Sequence, residues 1–549
     1  MLHVDWHRAR HCARHCARHR PVALMVPAVV ALGVGVRLMA FAPAARAQGA
    51  SAPITYVYLR DNGDTLGIET ITHAGFSVSG VLSIKGQPRT EWQQALQNGA
   101  LGVLTLRIFA PGAVADAPPL QSGTIEMRGD SAFVDLSSGT QRVKQAILSK
   151  PGGVPLVNAS VLHATLLAAH ARRIKATTLN VFLTSGAQTI AAAVAQSGDT
   201  TIFKLATSDM RIVPTPDGMP TVIILPGQGA RVVRATRPVN ASAGRINYDA
   251  PATAPYIADH LKIPSGRGYN IAATLTKPKG AAKMPVVITI SGSGPQERDS
   301  RITVVPGYEI FRQIADTLGR RGIAVLRFDD RGVGESGGRE SAARSSSADF
   351  ADDVRAIVSW LRARSDIDAT RIVLAGHSEG GLIAPMIAVR DAQLKAIAVL
   401  AGPAYDGRTV LMFQNRQGID NAPGLTASQR DSLWKSVPAA LDSIGKTNPW
   451  MGFFMTHNPV ATAKLVKQPV LILQGETDRQ VTAEQADLLL TAFRSNGNGD
   501  VTLRKFPATN HLFLNDPSGL PGGYPQLKDA KVRKEVLGAL ADWATRVLR

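Results

Sequence analysis

Cysteine is almost missing from this 549-residue chain: Cys12 and Cys16 are the only two, both within the first twenty positions. Beyond them, a disulfide, a thiolate nucleophile and a cysteine-bound zinc are excluded. A membrane-length apolar run is also missing. The stretch PVALMVPAVVALGVGV (21–36) stops at Arg37 after 16 residues, short of the roughly 20 that a span needs. The formal net charge is +19, yet no run of five Lys or Arg appears. Scattered cations read as a solvated face, not as a nucleic-acid stripe.

What is present begins with a leader pattern. Residues 1–20 are rich in Arg and His, 21–36 are apolar, and FAPAARA puts Ala45 and Ala47 just before Gln48. This is the layout of a secretory signal peptide covering 1–47. It predicts a periplasmic or secreted protein, with Met25 an alternative start. His7, His11, His15 and His19, with Cys12 and Cys16 between them, imitate a metal-binding helix face, but they lie in the charged part of the leader. Without residues 1–47, which hold seven Arg and one Asp, the charge is +13.

Two regions follow. Residues 48–236 read as β-rich. Turn pairs at Asn62-Gly63, Gly129-Asp130, Gly198-Asp199 and Asp217-Gly218 separate short apolar runs and mark hairpins. One helix, SVLHATLLAAHARR, has Ser160 as its expected N-cap. His73, His163 and His170 lack metal-ligand spacing and read as structural. Residues 237–255 read as a linker.

From residue 256 the pattern alternates. PVVITI (285–290), GIAVLRF (322–328), RIVLAG (371–376), LKAIAVLAG (394–402), QPVLILQG (468–475) and VTLRKF (501–506) suit buried strands. Amphipathic helices stand between most of them, for example Ile310, Phe311, Ile314 and Leu318 on one face. This predicts a mostly parallel sheet with helices on both faces, and ligands at the carboxyl ends of its strands.

At one such end stands Gly376-His377-Ser378-Glu379-Gly380. Strand before and helix after fit the elbow that presents a nucleophilic serine. A serine needs a base, and the base an orienting acid. Asp478 follows one strand and His511 the next, in the chain order serine, acid, histidine that this arrangement requires. Glu476 is the minor rival to Asp478. The oxyanion donors are expected from Glu379 N–H and from the loop SGSGPQERDS, where Ser293 N–H is favoured and Gly292 and Gly294 are alternatives. A formal G-x-G-x-x-G at Gly332–Gly337 is separated from its strand by Asp329, Asp330 and Arg331. It reads as a braced loop, not a nucleotide fingerprint.

IAATLTKPKG, SGSGPQERD, FDDRGVGESGG, LAGHSEGGLIAP, QGETDRQV and NHLF together resemble the α/β-hydrolase superfamily, in its serine aminopeptidase-like subgroup, and two-domain bacterial carboxylesterases. The resemblance covers 256–549. It implies the α/β-hydrolase fold after a β-rich N-terminal domain, the triad Ser378, Asp478 and His511, and a helical cap at about 404–465. In the second oxyanion loop this chain has Ser291-Gly292 where His-Gly is more widespread. The cap has no acidic cluster for a free α-amine, and NPWMGFFM offers Trp450, Phe453 and Phe454 to an apolar acyl group or to the cap's own core. An esterase is therefore favoured over an aminopeptidase, with thioester or lactone cleavage compatible and a catalytically silent hydrolase-like binding protein as the non-enzyme alternative. The expected partner is a small-molecule ester. No cofactor, metal or nucleic acid is expected, and homo-oligomerisation or substrate recruitment would fall to the N-terminal region.

Overall fold

The computed structural model describes residues 51–549 except 62, 86, 98–99, 111–117, 139–140, 150–152, 158–159, 185–187, 206–207, 216–217, 240–245, 281–282, 303 and 423. The leader expected at 1–47, Asn62, Asp217 and part of the linker lie outside the described residues.

Among those residues, fifteen strands, β1 (Ile54–Arg60) to β15 (Ala230–Arg234), form one sheet. The sheet is two meanders, β1 to β8 and β10 to β15, joined where β1 pairs antiparallel with β15; β9 (Val154–Leu156) pairs parallel with β10 (Thr178–Leu183), so β8 and β9 are the sheet edges. Gly129 and Gly198, at φ 57° and 55°, turn two of its hairpins. Strands from both halves of this sheet pack on helix α1 (Val161–Arg173). Trp92 and Glu69, from early strands, and Phe203 and Ile212, from late ones, share one buried core with the helix.

Ser160 precedes α1 but makes no side-chain cap. Its hydroxyl bonds His163 Nδ1 at 3.0 Å, and Glu69 Oε2 accepts Val161 N–H at 2.7 Å instead. A carboxylate from a distant strand supplies the negative group that a helix N-terminus favours. His163 is fully buried, and burial lowers its pKa to about 3.

The second sheet has eight strands: β16 (Tyr256–Pro264), β17 (Asn270–Pro278), β18 (Met284–Ile290), β19 (Ala324–Phe328), β20 (Ile367–His377), β21 (Ala396–Leu400), β22 (Val470–Gly475) and β23 (Val501–Phe506). Their spatial order is 16-17-19-18-20-21-22-23. The first two pairings are antiparallel and the remainder parallel.

Helices α2 (Ile310–Gly319), α3 (Arg339–Ala342), α4 (Ser347–Arg362), α5 (Glu379–Ala388), α6 (Gly407–Asn421), α7 (Ala427–Thr447), α8 (Pro449–Thr456), α9 (Pro459–Ala463), α10 (Glu484–Arg494) and α11 (Lys534–Val547) complete this region. One core holds α4, α5, α10 and the α6–α9 insertion against one face of the sheet. The other holds α2 and α11 against the opposite face. With both faces covered, β21 and β22 are buried along their whole length, as parallel strands require. This is the mostly parallel sheet with helices on both faces that the alternating pattern predicts, and the α/β-hydrolase arrangement that the resemblance implies. The hairpin β16–β17 was not among the six strands expected.

Candidate active site

β20 ends at His377 and α5 opens at Glu379, leaving Ser378 alone at the turn with φ 55° and ψ −118°. A non-glycine residue there carries strain of about 1–3 kcal/mol. The flanking glycines make the turn possible. A Cβ on Gly376 would lie 1.9 Å from Gly380 O, and one on Gly380 would lie 2.2 Å from Ile290 O. Ser378 N–H donates to Leu400 O at 2.8 Å, which ties the turn to β21.

The loop after β22 carries Asp478, and the loop after β23 carries His511. Both are buried, and His511 Nδ1 lies 2.8 Å from Asp478 Oδ2. Asp478 Oδ1 accepts the N–H groups of Gln480 and Val481 at 2.8 and 2.9 Å, and Gln474 Nε2 donates to Oδ2 at 3.1 Å. A carboxylate held this way orients the imidazole and favours the tautomer with the proton on Nδ1, which leaves Nε2 able to accept a proton. Glu476 is exposed and has no part in this pairing.

His377 Nε2 bonds His511 O at 2.9 Å, and the two rings stand 5.0 Å apart. A carbonyl only accepts, so His377 Nε2 is the donor. Burial, then the nearby His511, lowers the His377 pKa to about 3 and keeps the ring neutral. The structure thus joins His511 to Asp478 and sets His511 against the neighbour of Ser378. Among the described residues it draws no hydrogen bond between Ser378 Oγ and the imidazole.

Glu379 opens α5, so its N–H lacks an acceptor in a preceding turn. Gly292 faces the serine: a Cβ there would sit 3.1 Å from Ser378 Cβ. Ser293 is exposed, and it stands among the groups that lower the pKa of the Glu379 carboxyl against the rise that burial causes. Ser291 Oγ and Gln296 N–H both donate to Asp330 at 2.9 Å. Burial pushes the Asp330 pKa up to about 8, with Glu379 and Asp329 adding to the rise. Ser291, Gly292, Gly294, Asp330 and Glu379 line one narrow cavity beside the elbow.

The glycine-rich loop after β19 is braced by ion pairs. Arg298 grips Asp329 at 2.7–2.9 Å, and Arg331 bonds Asp353 at 2.7 Å. No long helix opens there until α4. Among the described residues, no group of three or more potential metal ligands occurs.

In the insertion, Phe454 is buried and stacks on Trp450 with ring centroids 5.6 Å apart. Trp450 Nε1–H donates to Glu379 Oε1 at 2.8 Å. Phe453 is half-buried and stacks on His457 at 5.3 Å. The carboxyl groups of Glu379 and Asp330, together with Gln474 and Ser347, escaped the sequence reading. Only the Asp329-Asp330-Arg331 run hinted at buried charge here.

Two family profiles match the chain: "Serine aminopeptidase, S33" over 301–436 and "Dienelactone hydrolase family" over 435–546. The chain is similar to Esterase EstD of Thermotoga maritima, 27% identical over 280 residues, covering 50% of this chain and 65% of that protein. It therefore spans slightly under two thirds of that relative. It is also similar to a monoacylglycerol lipase of Mycolicibacterium smegmatis, 27% identical, covering 38% of this chain and 78% of that one. A Pyrococcus furiosus esterase structure aligns at 18% identity and a TM-score of 0.39, over 55% of this chain and 96% of that one.

Proposed function

We propose that the chain is a serine hydrolase of carboxylic esters in the α/β-hydrolase superfamily, a reading that its fold and the two family profiles support. The observation that carries this reading is the buried His511–Asp478 pair at 2.8 Å beside the strained elbow serine. Ser378 Oγ attacks the ester carbonyl as His511 Nε2 takes its proton. The tetrahedral oxyanion is held by Glu379 N–H and a second donor from residues 292–294. Collapse expels the alcohol, which receives that proton from His511. Water then attacks the acyl-enzyme by the same route and frees the acid. The names of the Thermotoga and Mycolicibacterium relatives support an ester substrate.

The cap's carboxylates also favour an ester over a peptide with a free amine. Asp406 caps α6, Asp420 pairs with Arg416, Asp431 with Lys435, and Asp442 with Arg408. Each is already engaged. We also propose export after cleavage near Gln48; N-terminal sequencing of exported material that still carries residues 1–47 would refute it.

The functional test compares p-nitrophenyl esters with aminoacyl-nitroanilides. Ester turnover is expected, with stoichiometric fluorophosphonate labelling of Ser378 and loss of about 10⁴-fold in Ser378→Ala or Asp478→Asn. Faster anilide turnover would assign the aminopeptidase activity that the first family profile names. Full activity in Ser378→Ala would end the serine mechanism.

A further inference from the structure

Glu379 is 3% exposed, and its carboxyl lies on the cap side of the elbow. Two donors from two different parts of the fold converge on it. Ser347 Oγ, from the first turn of α4, donates to Oε1 at 2.7 Å. Trp450 Nε1–H, from cap helix α8, donates to the same oxygen at 2.8 Å. Ser293, from the loop facing Ser378, stands exposed beside them. No cation pairs with this carboxyl among the described residues. Burial raises its pKa, and its polar neighbours offset only part of the rise. Asp330 is the acid facing it across the cavity.

The backbone of the same residue opens α5 directly after the serine. One residue thus joins the elbow, through its N–H, to α4 and the cap, through its side chain. Oε1 accepts from both donors. An amide in its place is a weaker acceptor than a carboxylate and turns the other oxygen into a donor. Other hydrogen bonds hold the cap elsewhere, where Gln485 Oε1 accepts Ala404 and Tyr405 N–H and Gln414 donates to Gln480 O, and its apolar side packs into the core shared with α4, α5 and α10.

Resting on the serine-hydrolase reading, we propose that the Glu379 carboxyl is a positioning residue. It locks cap helix α8 and the first turn of α4 to the elbow, beside the Gly292 and Gly294 loop that lines the same cavity, so that a closed cap holds the Glu379 N–H in place. Disruption of the lock misplaces a donor used only in the transition state, so kcat falls and KM changes little.

The experiment measures Glu379→Gln, Trp450→Phe and their double variant on p-nitrophenyl butyrate, together with the rate of protease cleavage inside residues 404–465. Glu379→Gln is expected to lower kcat about tenfold or more, with KM within about threefold, by loss of oxyanion stabilisation. Trp450→Phe keeps the stacked ring and removes only the N–H. It should open the cap to protease as Glu379→Gln does, and it should add little to the loss in the double variant. Wild-type kcat in Glu379→Gln, multiplicative losses in the double variant, or unchanged cap cleavage would each overturn the proposal. Should Glu379→Gln fail to fold, Trp450→Phe with Ser347→Ala tests the same two bonds. Cap cleavage needs no catalysis. A wild-type protein without esterase activity would therefore defeat the hydrolase reading, while the protease rates would still decide on the lock.

Discussion

Ser378 is held at φ 55° and ψ −118°, where only glycine is free of strain. Ser378→Gly and Ser378→Ala should both be inactive, yet they should differ in stability. Glycine releases strain of about 1–3 kcal/mol and forfeits about 0.5–1 kcal/mol of chain entropy. Ser378→Gly is therefore expected to unfold at higher denaturant than Ser378→Ala, and the reverse order would show that the turn is relaxed. Asp330 gives a second test. Its native pKa of about 8 stands above the 3.8 of the free side chain, so between these values the folded state holds a proton that the unfolded chain has released. Stability from this group is complete below about pH 4 and declines as pH rises toward 8. Asp330→Asn mimics the protonated acid, accepting Gln296 N–H and donating to Ser291. Wild type should lose stability relative to this variant between pH 5 and 8 in thermal melts, and parallel curves would exclude the titration. Ser378, Asp478 and His511 could be read from the chain because each follows a recognisable strand. The Glu379 and Asp330 side chains could not, because spacing does not say which way a carboxyl turns or what it meets.

The two aromatic rings adjacent in sequence on α8 have different surroundings. Phe454 is 6% exposed and packed against Gly407, where a Cβ would lie 2.3 Å from its ring. Phe453 is half-buried at the margin of the core. Phe454→Ala should cost about 3–5 kcal/mol, seen as a lower melting temperature. Phe453→Ala should leave the melt nearly unchanged and shift the kcat/KM ratio of butyrate to acetate esters, since one methylene contact is worth about 1–3 kcal/mol. An unchanged ratio would assign both rings to the cap's own packing. The elements themselves were legible where burial is total. The inner strands β18, β21 and β22 appear as largely apolar runs because helices cover both faces. The hairpin β16–β17 escaped notice for the opposite reason. β16 is the sheet edge with alternating exposure, in a sequence, YIADHLKIP, that mixes charge with apolar residues.

At the scale of the whole chain, the β-rich region was legible as hairpins from its Gly-containing turns. Its packing on α1 was not, because the Glu69–Val161 bond spans 92 positions. The same holds for the connection between the two regions. Residues 237–255 read as a plain linker, yet Tyr248 is built into the second region. Its ring lies 4.1 Å from the Arg298 guanidinium, and its hydroxyl donates to buried Glu297 at 2.9 Å. Arg312 holds the carbonyls of Asn247 and Asp249 at 2.6 and 2.8 Å. Arg298 in turn grips Asp329, the neighbour of Asp330 in the wall of the elbow cavity. The linker is thus anchored to the charge network beneath the candidate site. Tyr248→Phe keeps the ring and strips a hydrogen bond from a buried carboxyl, a loss of about 1–3 kcal/mol. Tyr248→Ala removes the cation–π contact as well, worth about 0.5–2 kcal/mol more. The melting temperature should therefore fall stepwise from wild type to Tyr248→Phe to Tyr248→Ala. Equal melts in all three would mean that the linker lies on the surface without stabilising the domain it enters.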